Sequence, residues 1–191
     1  MITRTRNSLL GRLMQAVMQI ALSATLLHLL AGCAAVDPVV YAGQKPALVL
    51  ETYFNGRLTG HGLLMGRSGE VKRRFVVDLN ASWIGDSGTL DEQFVWSDGE
   101  LQHRVWTLRR AGAGRYIGTA PDVVGEAQGV VSGNSLTWSY TLAVPVDGAT
   151  WNLHFDDAMF LADENVMLNR AVMTKWGVRV GEIFIAFNRK G

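Results

Sequence analysis

The sequence predicts an all-β fold, an antiparallel up-and-down barrel of about ten strands that follows an N-terminal signal helix. Three observations predict it. From about Leu58 onward, short alternating stretches rich in Val, Ile, Phe, Trp and Thr are broken by turn residues about every 10 to 12 positions. No stretch after residue 50 carries a helical period of apolar residues. Finally, a chain of hairpin-linked strands leaves two open edges, and closure into a barrel removes them. A two-sheet sandwich is the alternative.

The first element is the signal. Arg4, Arg6 and Arg12 precede a nearly uncharged apolar run from Leu13 to Leu30, which ends in Leu30-Ala31-Gly32-Cys33. A basic start, an apolar middle and small residues at the cut are the anatomy of a secretory signal. A cut just before a cysteine matches the lipobox pattern, in which the thiol is acylated and becomes the first residue of the mature protein. The run is also near the lower length limit of a spanning helix, so a plain membrane anchor is the competing reading. Cys33 is the only cysteine, so no intramolecular disulfide can form, and acylation accounts for the lone thiol. Ala34 in place of Asp after it argues for the periplasm-facing inner leaflet of the outer membrane, a lipid-anchored cell-envelope location.

Removing residues 1–32 leaves 159 residues, enough for one domain with a sizeable core. Three of the 18 Lys and Arg and none of the 17 Asp and Glu fall in that leader, so the mature part has 15 against 17 and a formal charge of −2. That balance argues against nucleic acid as a partner and against a polybasic membrane contact. Residues 33–50, with Pro38, Gly43 and Pro46, read as the lipidated cysteine and a tether. Residues 51–191 read as a single barrel domain with strands at 57–66, 70–84, 89–97, 100–110, 115–120, 123–132, 135–145, 149–161, 166–175 and 178–188. Breaks such as Gly85-Asp86-Ser87-Gly88, Ser97-Asp98-Gly99 and Val146-Asp147-Gly148 separate them.

Within the strands, six charges fall on otherwise apolar faces. Arg73 shares a face with Phe75, Val77 and Leu79, Glu92 with Leu90, Phe94 and Trp96, and Arg104 with Trp106 and Leu108. Asp157 falls with Leu153, Phe155 and Met159, Arg170 with Val166, Leu168 and Val172, and Glu182 with Val178, Val180 and Phe184. Isolated charges there are too costly, so they must pair or reach water. One reading is a charged lumen floor that holds the polar head of an amphipathic or lipid ligand, with Arg73, Arg104 and Arg170 as head-group contacts. The other is a set of buried ion pairs that fixes strand register, or charges at the barrel mouths. A bulge or one-residue slip in any strand moves its charge to the other face.

Catalytic and metal signatures are not found. His61, His103 and His154 lie at no metal-ligand spacing, so no metal or other cofactor is expected. Gly66-Arg67-Ser68-Gly69-Glu70 lacks the second glycine of a nucleophile elbow, and no phosphate or dinucleotide loop occurs. His154 and Asp156 share a strand face and read as an exposed pair on an outer wall. The chain is therefore expected not to be an enzyme.

Several ordered clusters carry a resemblance: Tyr53-Phe54-Asn55-Gly56, Arg67-Ser68-Gly69, Leu90-Asp91-Glu92-Gln93-Phe94 and Asp122-Val123-Val124-Gly125. Phe155-Asp156-Asp157, Asn169-Arg170-Ala171 and Lys175-Trp176-Gly177 follow. Together they resemble the bacterial lipoproteins grouped as DUF3833, with Gly66 and Ala158 as departures from the usual pattern. The resemblance implies a calycin-type barrel similar in outline to lipocalins and, since the family has no established activity, no mechanism. The expectation is a membrane-anchored binding module, with a ligand-free structural or interaction lipoprotein of unknown protein partner as the alternative.

Overall fold

The structure, a computed structural model, describes residues 14–15 and 37–190. Contacts divide the chain into two units, Met1–Asp37 and Pro38–Gly191, and the barrel belongs wholly to the second. In the first, only Met14, Gln15 and Asp37 are described, the first two helical. The rest of the signal and Cys33 lie outside the described residues.

All ten expected strands are present: β1 (Gly56–Gly66), β2 (Val71–Ile84), β3 (Ser87–Trp96), β4 (Leu101–Gly112), β5 (Arg115–Thr119), β6 (Ala127–Ser132), β7 (Ser135–Val146), β8 (Ala149–Leu161), β9 (Val166–Lys175) and β10 (Val178–Arg189). Each pairs antiparallel with its sequence neighbours, and β1 closes on β10, so the sheet is a complete barrel without edges. The strand expected at 123–132 is shorter. Residues 120–126 form a loop instead, tied to β7 by a Val123–Leu142 bridge and by Val124 N–H donating to the Thr141 carbonyl.

Period-two alternation builds the wall. Along β2, Phe75, Val77, Leu79 and Ala81 are buried while Val76, Asp78, Asn80 and Ser82 face water. Apolar side chains point in and polar ones out, the reverse of the pattern a membrane-spanning barrel needs. Glycines make room for the largest rings. Trp138 lies across β5 and β6 at Gly118 and Gly129, where an added Cβ would meet its ring at 2.4 and 2.2 Å.

One end of the barrel is corked. A single helical turn, α1 (Leu50–Tyr53), was not expected from the sequence, and the tether reading ran through residue 50; instead residues from Pro38 onward pack on the barrel. Leu48, Leu50, Tyr53 and Phe54 are buried in the core, each worth about 1.5–3 kcal/mol of apolar burial. Polar contacts seat the turn. The Tyr53 hydroxyl donates to the carbonyls of Asn165 and Phe187 (3.2 Å each), Trp83 Nε1 donates to the Phe54 carbonyl (2.9 Å), and Glu51 accepts from Tyr116 and pairs with Arg110. The opposite end, ringed by the β1–β2, β3–β4, β7–β8 and β9–β10 hairpins, is open. Among the described residues no helix is long and apolar enough to cross a membrane.

Candidate functional site

From the open end a cavity of about 720 Å³ runs down the barrel axis to Leu50 and Phe54 of the cork. That is within the usual size range of small-molecule pockets. Its wall is mostly apolar, with Phe94, Trp96, Trp106, Tyr140, Phe155 and Met173 prominent. Tyr140 stacks on Phe155 at a centroid distance of 5.1 Å and meets Trp106 edge-on at 5.3 Å. Tyr140 and Phe155 are direct cross-strand partners on β7 and β8, whereas Trp106 reaches Tyr140 from β4, with β5 and β6 between it and β7.

Four of the six expected charges face this lumen: Arg73, Glu92, Arg104 and Asp157. Arg73 sits at the mouth. Its Nη2 donates to Asp98 (2.6 Å) and Glu100 (2.8 Å), and its guanidinium covers the Trp96 ring at 4.1 Å.

Arg104 lies deeper, with only 13% of its side chain exposed. Its Nε and Nη2 form a fork onto Asp122, with bonds of 2.8–3.1 Å. Burial works against the charge on Arg104, but the Asp122 bonds and nearby Glu92 outweigh it and hold its pKa above the ordinary value. Glu92 is directly across the β3–β4 ladder, yet its carboxylate is 4.0 Å from Arg104 Nη1. At that distance Arg104 only partly offsets the loss of water, and burial pushes the Glu92 carboxyl up to about 7.

Asp157 forms a third polar station. Asn169 Nδ2 donates to its Oδ2 at 3.0 Å across β8 and β9, while Asp157 Oδ1 and Asn169 Oδ1 are buried without a hydrogen-bond partner. Burial pushes the Asp157 carboxyl up to about 7 against the Asn169 bond. Tyr140 beside it is held well above the usual phenol range by the same burial.

The other two charges are on the outside, which corrects the sequence reading. In β9 the inward residues are Met167, Asn169, Ala171 and Met173, so Arg170 faces out with Leu168. Both faces of this strand are apolar, so composition alone does not tell its inner face from its outer one. In β10 a bulge between Arg179 and Gly181 shifts the phase, so Val180 points in and Glu182 points out. There Glu182 pairs with Arg170 and, at 3.1 Å, with Arg179.

Three lumen residues are not among the six candidate charges. Asp122 comes from the β5–β6 loop, where no alternation announces a direction. Asn169 and Tyr140 are uncharged and raised no alarm on their faces, although Tyr140 alternates with Leu136, Trp138 and Leu142.

On the outer wall Ser139, His154 and Asp156 meet. Ser139 Oγ and Asp156 Oδ1 both lie on His154 Nε2 at 3.2 Å, while Nδ1 faces Thr141. A relay needs the acid and the nucleophile on opposite ring nitrogens, so this is a surface network. Among the described residues no group of His, Cys, Asp and Glu is placed to hold a metal ion.

The barrel is similar to the S-type phycobiliprotein lyase CPES from Guillardia theta, with a TM-score of 0.57 and 7% identity, over 75% of this chain and 94% of that one. It is less similar to EF1p2_mFAP2b bound to DFHBI (TM-score 0.40, 11% identity, 73% of this chain and 95% of that one). The first likeness establishes a lipocalin-like fold and nothing about activity. No curated protein matches the sequence. The DUF3833 family, described as a protein of unknown function, matches residues 27–189. A match over that span, on a calycin-like barrel, means that the chain belongs to the DUF3833 family.

Proposed function

We propose that this protein binds a small amphipathic molecule in the lumen of its barrel while held at the cell envelope by lipid on Cys33. The hollow lumen carries the reading. A ligand-free structural role is best served by a filled interior, because unfilled apolar space forfeits packing energy. Here an apolar, aromatic cavity with a few buried polar groups has been kept open, the usual build of a small-molecule site.

The neutral probe N-phenyl-1-naphthylamine tests this on purified, detergent-free protein. Its fluorescence should rise on binding, and Ala171→Phe, which adds a ring to the lumen wall, should lower its affinity roughly tenfold in protein shown to be folded by its circular dichroism spectrum. A wild-type protein that takes up no probe, or a variant that binds it equally well, sinks the proposal.

The anchor rests on the sequence alone. The basic start, apolar run and Leu30-Ala31-Gly32-Cys33 support acylation and a place on the periplasmic side of the outer membrane. Labelled palmitate should enter the wild-type protein and not Cys33→Ser; equal labelling of both refutes it.

A further inference from the structure

We infer that the lumen chooses its ligand by a cationic, hydrogen-bond-donating head, a protonated amine on an apolar body, seated against Asp157. This rests on the proposed lumen binding and adds the chemistry of the head.

The first argument is the count of charges. The cavity is lined by three cations, Lys72, Arg73 and Arg104, and four carboxylates, Glu92, Glu100, Asp122 and Asp157. Of these only Arg104, Glu92 and Asp157 are deeply buried, one cation against two acids. An acidic cluster alone would say little, but most arginine donors here are already committed, the exception being Arg73 Nε at the mouth, which is buried without a partner. Two nitrogens of Arg104 are fixed on Asp122, and those of Arg73 that bond are fixed on Asp98 and Glu100. The two arginines expected as contacts for an anionic head group therefore bring their own counter-ions. An incoming carboxylate or phosphate would have to displace one of these pairs and then sit among the remaining acids.

The second argument is independent of charge. Asp157 is 7% exposed and Asn169 is 4% exposed, and each keeps a buried side-chain oxygen without a hydrogen-bond partner. Both residues line the cavity. Buried polar atoms are nearly always satisfied, and these two are acceptors, so what completes them must donate. A protonated amine offers three donors on one atom and supplies the charge the acids need, and an alcohol offers one donor and no charge. The apolar walls on either side, Phe155 and Met173 among them, suit the body of such a molecule.

The test is competition against bound N-phenyl-1-naphthylamine at pH 8 by dodecylamine, dodecan-1-ol and dodecanoic acid, which share one tail. The amine should displace the probe at a concentration roughly tenfold or more below that of the alcohol, with the acid weakest. Asp157→Asn should bring the amine down to the alcohol, read as the ratio of the two competitors within each protein so that any change in probe affinity cancels. Glu92→Gln should lower the amine's advantage less, and it serves if the first variant does not fold. An acid that competes as well as the amine overturns the inference, as does an amine preference that survives in the variant. Either result leaves lumen binding standing. Failure of the wild type to bind the probe removes the lumen reading and this inference together.

Discussion

Two arginine–glutamate pairs on opposite sides of one barrel wall invite comparison. Arg104 and Glu92 point into the lumen, and Arg170 and Glu182 point out. The pairs have the same composition and comparable surroundings in sequence, each beside β-branched or aromatic neighbours. Outside, Glu182 is shielded to 6% exposure by two arginines, one of which, Arg170, keeps 51% of its side chain in water. Inside, the arginine is claimed by a third residue, Asp122, and Glu92 is left 4.0 Å away in a mostly apolar cavity. The outer pair is complete, whereas the inner set is over-supplied with acids. A pair on the wall clamps β9 to β10; a set in the lumen that lacks donors is prepared for something else to supply them.

The largest expected consequence is on stability against pH. Glu92 and Asp157 titrate near 7 in the folded protein and near 4 when unfolded. Between those values the folded state holds more protons than the unfolded one, so stability is full below about pH 4, falls as pH rises, and levels off above about 7. Each unit of displacement is worth about 1.4 kcal/mol, so the fall amounts to several kcal/mol for the two groups together. Urea midpoints of wild type and Asp157→Asn from pH 5 to 8 should converge at the acid end and diverge at the alkaline end, with the variant more stable. Parallel curves would mean that the lumen acids are no more burdened than the outer ones, and the comparison would collapse.

Most of the fold was legible because it rests on two periodicities that sequence states openly. Alternation marked the wall of each strand, and Gly, Asp and Asn marked each hairpin, so even β2, at fourteen residues, emerged whole. The cork was not legible. Leu48, Leu50, Tyr53 and Phe54 are too few for a helical period and are held by tertiary packing, so the Tyr53-Phe54-Asn55-Gly56 cluster marked only the last two. The site was half legible for the same reason. Arg73, Glu92, Arg104 and Asp157 sit on strands whose two faces differ sharply. Arg170 sits on a strand whose faces do not, and Glu182 follows a bulge that no composition announces. Asp122 lies in a loop, and its partner could be found only in three dimensions.

The smallest effect tests the outer half of the comparison. Arg170→Ala removes a half-exposed guanidinium from Glu182 but leaves Arg179 at 3.1 Å. Solvent screens such a pair, so the loss should be under about 1 kcal/mol and probe binding should not change. The matched truncation Arg104→Ala is a different event. It leaves Asp122 and Glu92 facing each other in a lumen with no other deep cation, a cost of about 3–5 kcal/mol by the rule for breaking a buried pair. Thermal melts of the two variants should therefore separate widely, with Arg170→Ala near wild type. If they fall together, or if Arg170→Ala weakens probe binding, then Arg170 reaches the lumen after all and the outward phase of β9 is wrong.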